Sequence, residues 1–355
     1  MKRWITALAT LALLGTGFAV FKNDIALLLF RKAISQQVSS DLLAEYPEGM
    51  HVASCGSGTP LPDQTMAGAC TAVIAGGRLF VFDMGDGAPE TMMRMGLDIS
   101  RIEALFLTHF HSDHIVGLGS LVMGQGSGKG ESAPMRLYGA QGVEQIAGGF
   151  NSAFAFDQAY RVEHHPKLKA SVSALSLEPH AFQAPAEGSF PVVYQSNGVT
   201  IRAFAVPHGP VKPAIGYRIE YDGMAVVISG DTEASDNLVA AAKGADLLVH
   251  EALNPEMVAI IEQEATAHGQ KALATVMHDI PSYHATPMEA AEAASEAGVK
   301  ALAFTHMIPP LPLGLLEGPF LAGVSDLYSG PVIVMRDGMV LTILKQHSPA
   351  VRDFL

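Results

Sequence analysis

Residues 104–117 read Ala-Leu-Phe-Leu-Thr-His-Phe-His-Ser-Asp-His-Ile-Val-Gly, an apolar run that ends in three histidines and a carboxylate. No other stretch restricts the chain so strongly. Residues 104–107 read as a buried strand. Beyond it His109 and His111, two positions apart in extended backbone, point to the same side and can grip one ion. Asp113 and His114 are adjacent and face elsewhere, so the simplest geometry places them on a second ion at the start of a helix. Neutral imidazoles mixed with a carboxylate suit two Zn2+ ions, and Mn2+ or Fe2+ accept the same donors.

The segment Thr108-His109-Phe110-His111-Ser112-Asp113-His114 resembles the signature of the metallo-β-lactamase superfamily. That resemblance implies remote ligands, and three candidates each follow an apolar strand. His208, in Val-Pro-His-Gly, completes the first ion's histidines; Asp231, in Ile-Ser-Gly-Asp-Thr, bridges both ions; His306, in Ala-Phe-Thr-His, completes the second. All seven groups then emerge at strand ends on one edge of the fold. Further motifs narrow the branch: His250-Glu251-Ala252, His284-Ala285-Thr286-Pro287, Gly56-Ser57-Gly58-Thr59-Pro60 and Ser229-Gly230-Asp231-Thr232 look like the ribonuclease Z and arylsulfatase members over about residues 50–345. In that branch the residue matching His284 assists the chemistry and the one matching Glu251 orients it. The physics agrees, because a histidine carrying a carboxylate partner can be held protonated and offered to a departing oxyanion.

Apolar runs separated by strong turn signals predict four hairpins, at Gly76-Gly77, Asn197-Gly198, Asp222-Gly223 and Asp337-Gly338. They imply two antiparallel sheets, one built largely before residue 160 and one after. Helical patterns cover 89–96, 112–123, 142–156, 235–243, 255–278 and 287–298, the last with Thr286 as cap and Pro287 in the first turn. Each sheet must cover both faces, so the expected fold is α/β, a four-layer αββα sandwich with an N-terminal hydrophobic helix. The predicted divisions are 1–21, a signal peptide or membrane anchor; 22–45, a helical linker; and 46–355, the hydrolase domain.

Met1-Lys2-Arg3 precedes an uncharged stretch from Trp4 to Phe21, which places the catalytic body outside the cytoplasm, exported or anchored in the inner membrane. Cys55 and Cys70 flank one loop between predicted strands, where either a bridge or two buried thiols would fit. Residues 124–134 read as a Gly-rich linker or lid, and 307–316 as an apolar wall of the pocket or a buried loop.

A net charge of −13 argues against an extended nucleic-acid surface, since phosphate binding needs clustered Lys and Arg. The partners expected are a small-molecule ester and a membrane met through the amino terminus, with a homodimer compatible. The function expected is a dinuclear zinc hydrolase that cleaves small phosphodiester or sulfate esters by attack of a metal-bridging hydroxide, with Asp113 as proton acceptor and His284, steadied by Glu251, at the leaving group. The alternatives are a ribonuclease Z-like 3′ tRNA-processing endonuclease and a lactone or thioester hydrolase. Ribonuclease Z enzymes generally carry a long arm, often between the residues matching His208 and Asp231, and here that interval is used up by one hairpin. A β-lactamase would want Cys in place of Asp231, and a diiron oxidoreductase Glu in place of His111.

Overall fold

The computed structural model describes residues 21–355 except 37, 40, 47, 62–64, 125–132, 169–171, 173–174, 312 and 346. The apolar amino terminus and the Gly-rich segment at 124–134 therefore lie almost wholly outside the described residues. The chain divides into two compact units, 1–42 and 43–355. In the first, residues 21–36 are helical and exposed.

The second unit holds two sheets. Strands β1 (Met50–Gly56), β2 (Cys70–Ala75), β3 (Arg78–Phe82), β4 (Ile102–Phe106), β5 (Met135–Ala140) and β6 (Leu177–Phe182) lie side by side in chain order. The second sheet takes β7 (Val192–Ser196), β8 (Val199–Ala205), β9 (Ile215–Tyr221), β10 (Met224–Ile228), β11 (Leu247–Leu253), β12 (Leu302–Ile308) and β13 (Val332–Val334). The chain then returns to the first sheet as β14 (Met339–Leu344) beside β1, with β15 (His347–Asp353) at the edge.

The sheets are mixed rather than antiparallel. Three of the four predicted hairpins form, joining β2 to β3, β7 to β8 and β9 to β10. The first and third are then continued by parallel pairs, from β3 through β6 and from β10 through β13, while β8 joins β9 antiparallel. Parallel neighbours need a crossover, and the intervening helices supply it: Ala88–Met95, Leu118–Gly124 and Val143–His164 in the first half, Asp236–Ala242 and Pro287–Ala297 in the second. Asp337-Gly338 is no hairpin; it is where the chain crosses from β13 in one sheet to β14 in the other. The stretch read as one helix over 255–278 is two, Pro255–Ala267 and Lys271–Asp279, broken at Gly269, whose φ of 72° a side-chain-bearing residue resists.

Between the sheets lies a core drawn from both: Val52, Val73, Phe80, Phe82 and Phe106 from one face, Ile201, Tyr217, Val226 and Val249 from the other. A buried tyrosine must place its hydroxyl, and Tyr217 donates to the carbonyl of Leu107 at 2.6 Å, joining the sheets directly below residues 108–114. The outer face of the second sheet buries Ala290, Ala291 and Ala294 of the helix Pro287–Ala297, whose first turn is closed by a reciprocal Thr286–Glu289 capping box. Cys55 and Cys70 form a disulfide that ties the end of β1 to the start of β2. A link spanning 15 residues stabilises by about 3 kcal/mol through the entropy it removes from the unfolded chain.

Candidate metal centre

Parallel strands end on the same side of a sheet, so the residues just past β3, β4 and β10 share one rim with the end of β8, which runs antiparallel to β9. This topology is what gathers residues two hundred positions apart. His109, His111, Asp113 and His114 come from the segment after β4, His208 from the turn after β8, and Asp231 from the turn after β10. His306 arrives differently. It lies inside β12, where the pairing slips between His250 and Ala252 of β11, and it takes a φ of 46°. A bulge of this kind re-aims a side chain, and here it brings His306 into line with Asp113.

Two donor groups form around one carboxylate. His109, His111, His208 and Asp231 are close enough to hold one ion, and Asp113, His114 and His306 another. Asp231 Oδ2 lies 3.8 Å from Nε2 of His109, of His208 and of His306, while its Oδ1 lies 3.4 Å from Nε2 of His114. Asp113 Oδ2 is 3.1 Å from His306 Nε2 and 3.5 Å from His114 Nε2. Two ligands bonded to one tetrahedral ion at about 2.1 Å stand about 3.4 Å apart, so these spacings fit atoms that share an ion. The donor chemistry agrees. Nε2 of His114 and of His208 are buried without a hydrogen-bond partner. Three carboxylates, of Asp83, Asp113 and Asp231, crowd His114, which calls for cations. Burial pushes the pKa of Asp231 up, but the imidazoles of His306 and His114 overcome it and hold the carboxyl far below its usual range. Burial keeps His109 and His208 below the usual histidine value, hence neutral and fit to ligate.

A layer behind the donors orients them. His114 Nδ1 donates to Asp83 Oδ2 at 2.8 Å, and Asp83 accepts from the backbone N–H and the hydroxyl of Thr108, both at 2.8 Å. Thr108 Oγ1 lies 3.0 Å from His109 Nδ1, and His208 Nδ1 donates to the carbonyl of Tyr283 at 2.8 Å. Each bond fixes a tautomer with its Nε2 lone pair turned to the centre. Asp83, which holds a candidate donor, was not revealed by the motifs, although it follows the apolar strand β3 as Asp231 follows β10. Asp83→Ala is therefore expected to lower metal affinity by about 10- to 100-fold, read by titrating the stripped protein with zinc against a chelator; an unchanged affinity would show the layer to be idle.

His284 and Glu251 meet at the same rim. His284 Nδ1 donates to Glu251 Oε1 at 2.9 Å, and that oxygen also accepts the backbone N–H of Thr232 at 3.0 Å, next to Asp231. Both residues are buried. Burial lowers the pKa of His284, yet the Glu251 carboxylate overcomes it and holds it up at about 9. Its ring is close enough to Asp231 and His306 to share a bound group with them. A cavity of about 310 Å3 opens beside Asp113, walled by Gly58, Thr59, Met66 and Ser112. The apolar segment after His306 does not line it: Met307, Ile308 and Leu311 are buried, and Leu313 and Leu315 are exposed.

A family profile described as "Beta-lactamase superfamily domain" matches residues 81–307. Ribonuclease Z of Mycobacterium sp. (strain KMS) is 35% identical over 266 residues, 75% of this chain and 86% of that protein. Among solved structures, the metallo-beta-lactamase fold protein YhfI from Bacillus subtilis superposes with a TM-score of 0.58 at 19% identity, covering 82% of this chain and 99% of that one. Human tRNase Z, short form, superposes with a TM-score of 0.56 at 21% identity, covering 83% and 99%.

These findings correct two expectations. A small-molecule ester as partner, with no nucleic-acid surface and a membrane met through the amino terminus, conflicts with relatives that are ribonucleases by name. The physical reason is that a net charge of −13 sums the whole surface, whereas a substrate meets only the rim around the centre. An exported or membrane-anchored body is likewise overturned by those relatives, and no helix among the described residues is long and apolar enough to cross a membrane.

Proposed function

The chain belongs to the metallo-β-lactamase superfamily, alongside its ribonuclease Z members, and from that premise we propose that this metal-dependent hydrolase cuts an internucleotide phosphodiester bond of RNA, in the manner of a 3′ tRNA-processing endonuclease. The observation that carries this reading is the Asp231 carboxylate standing between two sets of donors, with a Glu251–His284 pair at the same rim. His109, His111 and His208 would hold one Zn2+ ion, Asp113, His114 and His306 the other, and Asp231 both. Bound there, the two ions supply an acidified water and neutralise charge on the phosphate oxygens. Asp113, beside His114 and His306, would be the group that takes up a proton. Glu251 keeps the His284 Nδ1 proton engaged, so that the opposite ring nitrogen faces the reacting group and can give its proton to the departing oxygen.

The interval Gly209–Gly230 is occupied by the β9–β10 hairpin, so any grip on an RNA body comes from elsewhere on the rim. The test is direct. The purified chain, reconstituted with zinc, is expected to cleave a precursor transfer RNA at its 3′ trailer, and Asp231→Ala is expected to abolish the cut. Intact precursor after prolonged incubation with metal-loaded protein would overturn the reading.

A further inference from the structure

We propose that the ring of Tyr283 is the platform on which the base of the departing nucleotide stacks, an inference that rests on the RNA reading above. Tyr283 precedes His284, and the two ring centroids are 5.1 Å apart at a tilt of 46°. Its centroid is also 5.5 Å from that of His208, edge to face. The oxygen that takes a proton from His284 sits on the sugar of the departing nucleotide, and the base hangs from that same sugar. A flat surface beside the acid is therefore within reach of this base.

Three features mark the ring as a binding surface rather than a core side chain. It is half-buried, open to solvent on part of its surface, while His208 and His284 beside it are buried. It is held firmly: its inner side packs on the cluster of Leu253, Val258, Met277, Ile280 and Ile308, and its carbonyl takes the His208 Nδ1 proton at 2.8 Å. Gly209 lets it come close, since a Cβ there would stand 2.9 Å from the Cβ of Tyr283, and the glycine's φ of 52° disfavours any side chain. Among the described residues, neither the donor groups nor the wall of the cavity beside Asp113 contains a lysine or arginine. The ions and His284 bear on the phosphate and its departing oxygen, and stacking adds a hold on the base that works for every base without charge.

The test compares wild type, Tyr283→Ala and Tyr283→Phe, all zinc-loaded, on a precursor transfer RNA and on the same RNA with an abasic ribose at the departing nucleotide. Tyr283→Ala is expected to lower kcat/KM about tenfold on the intact RNA and less than about threefold on the abasic one. Tyr283→Phe should restore the intact-RNA value to within about threefold, because the face and not the hydroxyl does the holding. Equal losses on both substrates would mean that the substitution merely displaces His208, and would overturn the platform alone. A Phe variant as poor as the Ala variant would also overturn it. If wild type leaves the intact RNA uncut, the RNA reading falls, and this proposal with it.

Discussion

Asp231→Ala is expected to leave the protein with neither ion after reconstitution, where wild type takes up two per chain. One of its oxygens lies 3.4 Å from His114 and the other 3.8 Å from His109, His208 and His306, so a single truncation reaches both donor sets. The remaining groups then sit as buried polar atoms whose common anion is gone. Activity should fall by on the order of a thousandfold or more, because the water's acidification and the phosphate's charge neutralisation are lost together. Metal analysis after dialysis reads the first effect and turnover the second. His111→Ala provides the contrast: it removes an exposed ligand from one set only and should leave the second ion in place. An Asp231→Ala protein that kept two ions would end the shared-carboxylate account.

His284→Ala is expected to behave in the opposite way, keeping its ions and losing turnover. General-acid help contributes about 10²- to 10⁴-fold, and it matters most when the departing oxygen is basic. The loss should therefore approach the top of that range for a nucleotide leaving group and shrink for nitrophenolate, which departs without a proton. Glu251→Gln should show a milder version of the same trend, since the amide still fills the space but no longer carries the charge that holds His284 up at about 9. A flat dependence on leaving group in the His284 variant would remove the acid role. Loss of metal in that variant would instead make His284 a ligand.

The candidate donors, which the fold brings together, could be picked out because they follow one local rule, a polar residue at the end of an apolar run, repeated at His109, His208, Asp231 and His306. Asp83 obeys it too, after Arg-Leu-Phe-Val-Phe, but no resemblance pointed to it, and a carboxylate that bonds a ligand rather than a metal has no spacing of its own. The hairpins at Gly76-Gly77, Asn197-Gly198 and Asp222-Gly223 were legible because a two-residue turn closes its own strand pair. Asp337-Gly338 carries the same letters and does something else. Turn chemistry says that the chain reverses, while the choice of sheet for each strand is made by partners far away: β13 finds β12, and β14 finds β1. The bulge that delivers His306 is likewise invisible in sequence, since it exists only as a mismatch of register between two strands. Acidity misled about the partner for a related reason, as charge counted along a chain says nothing of where on the surface it lies.

Asp337, at that crossing, meets a residue 280 positions earlier in the chain. Its Oδ1 accepts the backbone N–H and the hydroxyl of Ser57, both at 2.9 Å, and its Oδ2 accepts the backbone N–H of Ala67 at 2.7 Å. Those three bonds clamp the two ends of the β1–β2 loop, whose Gly58, Thr59 and Met66 wall the cavity beside Asp113. The smallest working unit is therefore not the motif span. A fragment trimmed after His306 would still contain every donor and the acid, yet it would have no strand to cover one edge of β1 and no carboxylate to clamp the mouth. Anyone transplanting this centre into another scaffold would have to carry the last crossing along, although it contains none of the chemistry.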